Sequence, residues 1–196
     1  MTIPNSAPAV TPRQRVLKPE QIRAIFEVFQ GIEPEPKGEL DYVNAYTLVV
    51  AVALSAQATD VSVNAATKAL FTKVQTPQQM LDLGEEALKD HIKTIGLYNA
   101  KAANVMKAAR ILVDDYGGEV PEDRAALESL PGVGRKTANV VLQMYWGHPT
   151  IAVDTHVFRV SNRMGIAAGN NPDQVEDGDR KRTRLNSSHS SVSRMP

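Results

Sequence analysis

The chain has 196 residues, 42% of them hydrophobic and 22% charged, which suffices for one ordinary domain or two small ones with a packed core. It contains no cysteine, which excludes disulfides, thiol catalysis, cysteine-bound zinc and iron–sulfur clusters held by this chain's thiolates. Lys plus Arg and Asp plus Glu both number 22, so bulk charge gives no indication of nucleic-acid binding. No apolar run reaches the ~18 residues of a membrane span, and the start lacks a signal peptide's apolar stretch. We therefore expect a soluble intracellular protein.

The first third of the chain changes from a polar arm to apolar helices. Residues 1–19 carry four prolines among small polar residues, and we predict a flexible arm. From Glu20 the apolar residues recur at helical spacing, at Ile22, Ile25, Phe26 and Phe29. After a loop rich in glycine and proline, residues 42–54 are apolar on every face. We expect this second helix in the middle of the core.

Capping residues divide the rest of the chain into further helices. Asp60 is predicted to cap a helix over 61–71, and Thr76 precedes a proline at the first position of the next. A helix over 85–95 is expected to end at Gly96 in the left-handed conformation. Further helices are predicted over 101–116, 121–130, 134–145 and 154–164. Since no alternating strand of convincing length is present, the predicted fold class is all-α.

The character of the sequence changes after Glu176. Residues 178–196 are rich in Ser and Arg and have no apolar face, so they cannot extend the core. One interpretation is a disordered basic tail. However, residues 179–189 read DRKRTRLNSSH and closely resemble an in-frame translation of a common sequencing-library adapter, with Arg182 the only mismatch. This resemblance implies that residues 177–196 are a non-native tail and that the natural protein continues beyond about Glu176.

The segment with the clearest chemistry is residues 127–154, LESLPGVGRKTANVVLQMYWGHPTIAVD. A short helix ends at Pro131, a tight turn Gly132–Val133–Gly134 follows, and a second helix starts at Arg135. The two glycines allow positive φ and a close approach of the backbone to a ligand. Backbone amides at the start of the second helix can then bind a phosphate, which is how a helix–hairpin–helix grips DNA without reading its sequence.

Lys136 and Asp154 are the candidate catalytic residues. Lys136 lies in the first turn of the second helix, where the positive end of the helix dipole favours the neutral amine, a nucleophile able to form a Schiff base with a sugar C1′. Asp154 precedes another helix and could stabilise positive charge on the sugar or assist proton transfer. Each also has a structural alternative, a solvated surface lysine and a helix N-cap.

Together these motifs resemble the endonuclease III family of helix–hairpin–helix DNA glycosylases and abasic-site lyases. The resemblance runs from about Asp41 to Glu176 and includes LSAQATDVSVN at 54–64, IKTIGLYNAKA at 92–102 and PTIAVDTHVFRV at 149–160. It implies that Lys136 is the Schiff-base lysine and Asp154 the catalytic aspartate. It further implies DNA contacts by the hairpin and by residues that enter the duplex where the damaged nucleotide is extruded, namely Gln57, Leu97, Gly132, Val133, Gly134, Arg135 and His156.

Three of these assignments have plain structural alternatives. Leu97 could be a core residue, Gln57 a surface amide and His156 a surface or capping histidine. In the family reading, Leu97 is a wedge on a turn and Gln57 a polar filler of the gap left by the extruded base. The partner would be damaged double-stranded DNA, encountered in the cytoplasm at the nucleoid, with no membrane involved and a monomer expected for the full-length protein.

The resemblance also implies a domain organisation. Residues 41–150 form a helical domain that includes the helix–hairpin–helix at 122–145. Residues 20–40 give the N-terminal helix, and residues 151–176 the start of the C-terminal half, of an incomplete second domain. The family's [4Fe–4S] cluster is held by four cysteines at spacing C-x6-C-x2-C-x5-C, and that region has no counterpart here, so this chain supports no such cofactor. We therefore expect Phe26 and Phe29 to lack packing partners.

Two alternatives to the bifunctional enzyme stay open. A monofunctional glycosylase, such as an adenine-specific mismatch enzyme, keeps the aspartate but generally lacks this lysine, so Lys136 argues against it. A non-catalytic helix–hairpin–helix DNA-binding module needs the hairpin and neither catalytic residue. Strand cleavage without added base distinguishes the first alternative, and binding to abasic duplex without turnover distinguishes the second.

Overall fold

The computed structural model describes residues 16–34, 36 and 38–178, and the predicted arm before Val16 and the tail from Asp179 lie outside them. All regular elements in these ranges are helical, which confirms the predicted all-α class. The helices are α1 (Pro19–Ile32), α2 (Ala45–Ser55), α3 (Asp60–Leu70), α4 (Pro77–Leu83), α5 (Glu85–Ile92), α6 (Tyr98–Tyr116), α7 (Arg124–Glu128), α8 (Arg135–Trp146) and α9 (Thr155–Met164). None of these described helices is long and apolar enough to cross a membrane.

The chain divides into two compact units. Residues 35–152 form the first, which we call the helical unit and which contains α2 to α8. The described residues 16–34 and 153–178 form the second, which we call the terminal unit.

Helix α2 lies at the centre of the helical unit, as its all-round apolar sequence predicts. Eight of its 11 residues are buried, and it packs against α3, α6 and α8. Helix α6 also packs against α4 and α5, helix α5 packs against α3, and α7 packs against α8. Side chains from all seven helices and their connections meet in one apolar core, whose fully buried members include Leu48, Leu54, Leu70, Leu112 and Leu127. Because α8 contributes to this close-packed core, the helix that carries Lys136 is held rigidly in position.

The start of α3 corrects the sequence prediction by one residue. Thr59, not Asp60, is the N-cap: its backbone is extended and its hydroxyl accepts a hydrogen bond from the backbone N–H of Ser62 at 3.3 Å. Asp60 is the first residue of the helix itself. Both residues can cap a helix, and the extended backbone at Thr59 decides between them. The cap predicted at Thr76 is confirmed, with the backbone N–H of Gln79 donating to its hydroxyl at 3.2 Å.

The connection between α5 and α6 also differs from the prediction. Helix α5 ends at Ile92, three residues before the expected end, and Gly96 does not take up the left-handed conformation. The left-handed residue is Leu97, which is the N-cap of α6. At the other end of α6, Gly117 is left-handed as its position after the last apolar residue indicates.

Within the terminal unit, the backbone N–H of Leu17 donates to the carbonyl of Gly165 at 2.8 Å and joins the approach to α1 to the end of α9. Helix α1 has no buried residue, and Phe26 and Phe29 are each 48% exposed, as expected from the sequence. Their rings meet edge to face at 6.2 Å. Residues 172–178 are helical, which the sequence analysis missed, and within them Val175 is buried.

Candidate active site

A cavity of about 350 Å³ lies within the helical unit, between the end of α2 and the start of α8. Lys136 and Gln57, both predicted as site residues, line it together. The other polar lining residues include two acidic ones, Glu39 before α2 and Asp60 at the start of α3. Apolar lining residues are Leu40, Val52, Val140 and Met144. The cavity is thus lined by a mixture of charged, polar and apolar residues, a composition typical of a small-molecule or base-binding pocket.

Lys136 is the second residue of α8 and is exposed. The N-cap of α8 is Gly134, which has an extended backbone and no side chain to satisfy the first amides of the helix. The start of α8 is the place where the sequence predicts contact between backbone amides and a DNA phosphate. The sequence allows a positive φ at both glycines of the turn. Gly132 has one, at +85°, whereas Gly134 does not, at −95°.

Position 132 requires a glycine for two reasons, its backbone conformation and the small space beside it. Its positive φ disfavours any residue with a Cβ, and a Cβ built there would lie 3.2 Å from the Cβ of Asn104 on α6. The hairpin turn therefore packs closely against α6. Between the two glycines, Val133 is buried, while the following Arg135 begins α8. Val133 thus anchors the turn while its glycines lie at the surface.

Gln57 and Leu97 are both exposed and both left-handed, with φ +57° and +59°. No other described residue apart from glycine has a positive φ. Gln57 belongs to the turn between α2 and α3, and Leu97, 65% exposed, to the turn before α6. The alternative reading of Leu97 as a core residue is wrong, because the structure leaves most of its side chain in solvent. Left-handed non-glycine residues store strain and concentrate at functional sites.

Asp154 belongs to the terminal unit, where it is the N-cap of α9. One carboxylate oxygen, Oδ1, accepts hydrogen bonds from the backbone N–H groups of His156 at 2.9 Å and Val157 at 2.8 Å. This confirms the capping role predicted from the sequence. Because both bonds go to Oδ1, they fix the orientation of the carboxylate at the start of the helix. His156 is exposed in the first turn of the same helix.

Comparison with known proteins identifies the family. The family model of the HhH-GPD superfamily base excision DNA repair proteins matches residues 50–183. The chain belongs to this superfamily. Endonuclease III of Rickettsia conorii is 58% identical to this chain over 156 residues, which cover 80% of this chain and 74% of the relative. Endonuclease III of Escherichia coli is 61% identical over 144 residues, which cover 74% of this chain and 68% of that relative. A solved structure of a trapped endonuclease III–DNA covalent intermediate superimposes with a TM-score of 0.79 at 46% identity, covering 85% of this chain and 78% of that one.

Three residues of this HhH-GPD protein's helical unit were missed by the sequence analysis: Glu39, Asp60 in its role as cavity lining, and Asn104. Glu39 lies in a loop with no periodic pattern, so no local signal marks it. Asp60 was assigned to capping, but Thr59 is the cap and Asp60 is one of the residues that line the cavity. Asn104 lies on α6 and meets the hairpin turn only through tertiary packing.

The residues of this chain do not fit the [4Fe–4S] cluster that the resemblance to the family implied. A [4Fe–4S] cluster is held by thiolates, and none of the 196 residues is a cysteine. The described residues also hold no group of three or more His, Asp or Glu side chains placed to bind a metal ion.

Proposed function

We propose that this chain is a base-excision repair enzyme that removes oxidised pyrimidines from double-stranded DNA and cleaves the resulting abasic site by β-elimination. The observation that carries the proposal is Lys136, an exposed lysine at the start of α8 that lines a cavity directly after the hairpin turn. The relatives at 58% and 61% identity are named endonuclease III, and the solved neighbour is a covalent protein–DNA intermediate.

The hairpin turn and the first amides of α8 bind a phosphate of the damaged strand. Because these contacts go to the backbone, they position DNA without selecting a sequence. Extruding the damaged nucleotide costs a few kcal/mol, and least for a damaged pair. Leu97 enters the stack as an apolar wedge and Gln57 fills the gap with its amide, while Arg135 and His156 contact the strand. The extruded base enters the cavity that Gln57 and Lys136 line.

The amine of Lys136 then attacks C1′ of the extruded nucleotide. The C1′–N bond to the base breaks, its electron pair leaves with the base, and the base takes up a proton. Asp154 stabilises the positive charge that develops on the sugar. The C1′–O4′ bond then breaks, and O4′ becomes a hydroxyl by taking up the proton that the attacking nitrogen loses. The product is a protonated imine between Lys136 and C1′, which acidifies the C2′ hydrogens. Loss of a C2′ proton and departure of the 3′ phosphate oxygen cut the strand on the 3′ side of the lesion.

Borohydride trapping on a duplex with a single abasic site tests this proposal. Borohydride reduces the imine to a stable amine, so wild-type protein should become covalently linked to DNA, and Lys136→Gln should not. Lys93→Gln is the matched control, because Lys93 is another exposed lysine of the helical unit, after α5, and should keep full trapping. Trapping by Lys136→Gln would mean that another amine is the nucleophile.

A second experiment, in which the substrate duplex carries an oxidised pyrimidine in place of the abasic site, separates the alternative functions. A monofunctional glycosylase would release the base from wild-type reactions, but it would give neither trapping nor strand cleavage without added alkali. A DNA-binding module would bind the abasic duplex with no base release at all. The proposed substrate places the protein on chromosomal DNA, and therefore in the cytoplasm at the nucleoid. We expect the full-length protein to act there as a monomer.

A further inference from the structure

Asn139 is a fully buried polar residue of α8, three positions after Lys136 and therefore one helical turn away from it. Its side-chain Nδ2 donates a hydrogen bond to the carbonyl of Ile151 at 3.3 Å. Its backbone carbonyl accepts a second hydrogen bond from the hydroxyl of Thr150 at 2.8 Å. One residue of α8 thus binds two consecutive residues of the segment that follows the helix.

That segment, residues 147–154, connects α8 to Asp154 and contains no regular secondary structure. Without a helix or sheet ladder, an irregular segment takes its conformation from individual hydrogen bonds. Ile151 precedes Asp154 by only three residues, so the two hydrogen bonds at 150 and 151 act on the chain shortly before Asp154. In this segment the side-chain amide of Asn139 donates to the carbonyl of Ile151, as a backbone N–H would in a helix or a sheet.

Stability alone does not account for an asparagine at this position. The Oδ1 of Asn139 is buried and accepts no hydrogen bond from the described residues. A buried polar atom without a partner costs about 1–3 kcal/mol, and an apolar side chain of the same shape avoids that penalty. A leucine would fill the space, but it could not bind the carbonyl of Ile151. The amide is therefore explained by the bond it makes and not by its burial.

We propose that Asn139 is a positioning residue: its side-chain amide fixes the segment that leads to Asp154 to the helix that carries Lys136. Asn139 itself touches no reacting atom and acts only through Asp154. Its effect on the reaction rests on the roles proposed above for Lys136 and Asp154, whereas its effect on the segment does not.

Hydrogen exchange tests the effect on the segment without requiring activity. In the full chain with Asn139→Leu, peptides covering residues 148–154 should exchange at least about tenfold faster than in the wild type, while peptides of α2 should not change. Val141→Ala is the matched control, because it perturbs another fully buried residue of α8 and should leave residues 148–154 protected. Unchanged exchange at 148–154 in Asn139→Leu would overturn the proposal.

A second variant separates hydrogen bonding from space filling. Asn139→Asp keeps the shape, but an ionised carboxylate cannot donate to the carbonyl of Ile151, whereas a protonated carboxyl can. Protection of residues 148–154, measured relative to the wild type at each pH, should therefore recover as the pH falls and the aspartate takes up a proton. Equal protection for Asn139→Leu and Asn139→Asp at every pH would show that only volume matters, against the proposal.

The kinetic readout asks whether the position of the segment matters for catalysis. Since a displacement of about 1 Å can cost a hundredfold in rate, Asn139→Leu should lower the single-turnover rate of base release by about that factor, with little change in affinity for abasic duplex. In an Asp154→Asn background the same substitution should have no further effect, because the residue through which it acts is already lost. A full additional loss there would overturn the positioning role. A wild-type chain without activity would contradict the proposed function alone, and the exchange result would still decide whether Asn139 fixes the segment.

Discussion

Gln57 and Leu97 adopt the same left-handed backbone conformation, at φ +57° and +59°, in two separate turns of the helical unit. Both side chains are exposed, so neither conformation is compensated by burial of the residue that adopts it. A left-handed residue with a Cβ is less favourable by about 1–2 kcal/mol than the right-handed one. The structure therefore holds strain at the two positions that the sequence assigns to the DNA duplex.

Replacing Leu97 by asparagine should separate this strain from DNA binding. Asparagine tolerates the left-handed conformation better than leucine, so we expect the free energy of unfolding of Leu97→Asn to stay unchanged or rise by about 1 kcal/mol. Without its apolar wedge, the variant should bind abasic duplex at least about tenfold more weakly. Denaturant unfolding and a binding titration measure the two quantities.

Leu127→Ala is the control for Leu97→Asn, because Leu127 is fully buried on α7. That substitution should lose about 2–5 kcal/mol of unfolding free energy, and the folded protein should keep its DNA affinity. A Leu97→Asn protein that is strongly destabilised yet binds DNA normally would show that Leu97 serves the fold.

Gly132→Ala tests the close approach between the hairpin turn and α6. The new Cβ would be in a left-handed residue and 3.2 Å from Asn104, so strain and crowding both act against it. We expect a loss of more than about 2 kcal/mol in unfolding free energy and weaker DNA binding, because the turn must move. Gly147→Ala provides the comparison: its φ is +71° with no atom within 4 Å of the new Cβ, so only the strain of about 1–2 kcal/mol applies. Equal losses for the two variants would refute the crowding argument.

Asp154 combines a structural and a proposed chemical role, and two substitutions distinguish them. Asp154→Asn keeps an acceptor for the backbone N–H groups of His156 and Val157, so unfolding free energy should change by less than about 0.5 kcal/mol while base release falls steeply. Asp154→Ala should lose activity and also about 0.5–2 kcal/mol. Asp123, whose Oδ1 caps α7 through the backbone N–H of Ala126, is the control. Asp123→Ala should lose stability and keep base release, and normal base release in Asp154→Asn would remove the aspartate from the mechanism.

Lys101 on α6 gives a prediction for pH. Its Nζ is buried and has no hydrogen-bond partner among the described residues, and burial lowers the pKa of Lys101 below its ordinary value of 10.5. At pH values between the lowered pKa and 10.5, Lys101 is protonated more often in the unfolded chain than in the folded one. Its contribution to the free energy of unfolding therefore rises with pH in that range. Lys101→Met should increase the free energy of unfolding at pH 7 by about 1 kcal/mol or more. The advantage should shrink as the pH approaches 10.5, and a gain that does not depend on pH would contradict the charge as its cause.

The sequence by itself determined the parts that depend on local chemistry. The apolar run of α2, the Thr76 and Asp154 caps and the glycine after α6 are properties of a few neighbouring residues, so periodicity and capping rules identify them. The same holds for Lys136 at the start of α8, since a helix begins where the hairpin turn ends. The motifs around these residues also gave the family.

Tertiary structure decided which residues meet. Thr59 and Asp60 are both of residue types that cap helices, and the path of the chain into α3 makes Thr59 the cap and Asp60 a residue that lines the cavity. Glu39 lines that cavity from an irregular loop, and the left-handed conformation falls on Leu97 although Gly96 is the residue that tolerates it. Asn139 reaches Ile151 across 12 positions of sequence. No local rule predicts these outcomes, because each is set by how separate segments of the chain pack against one another.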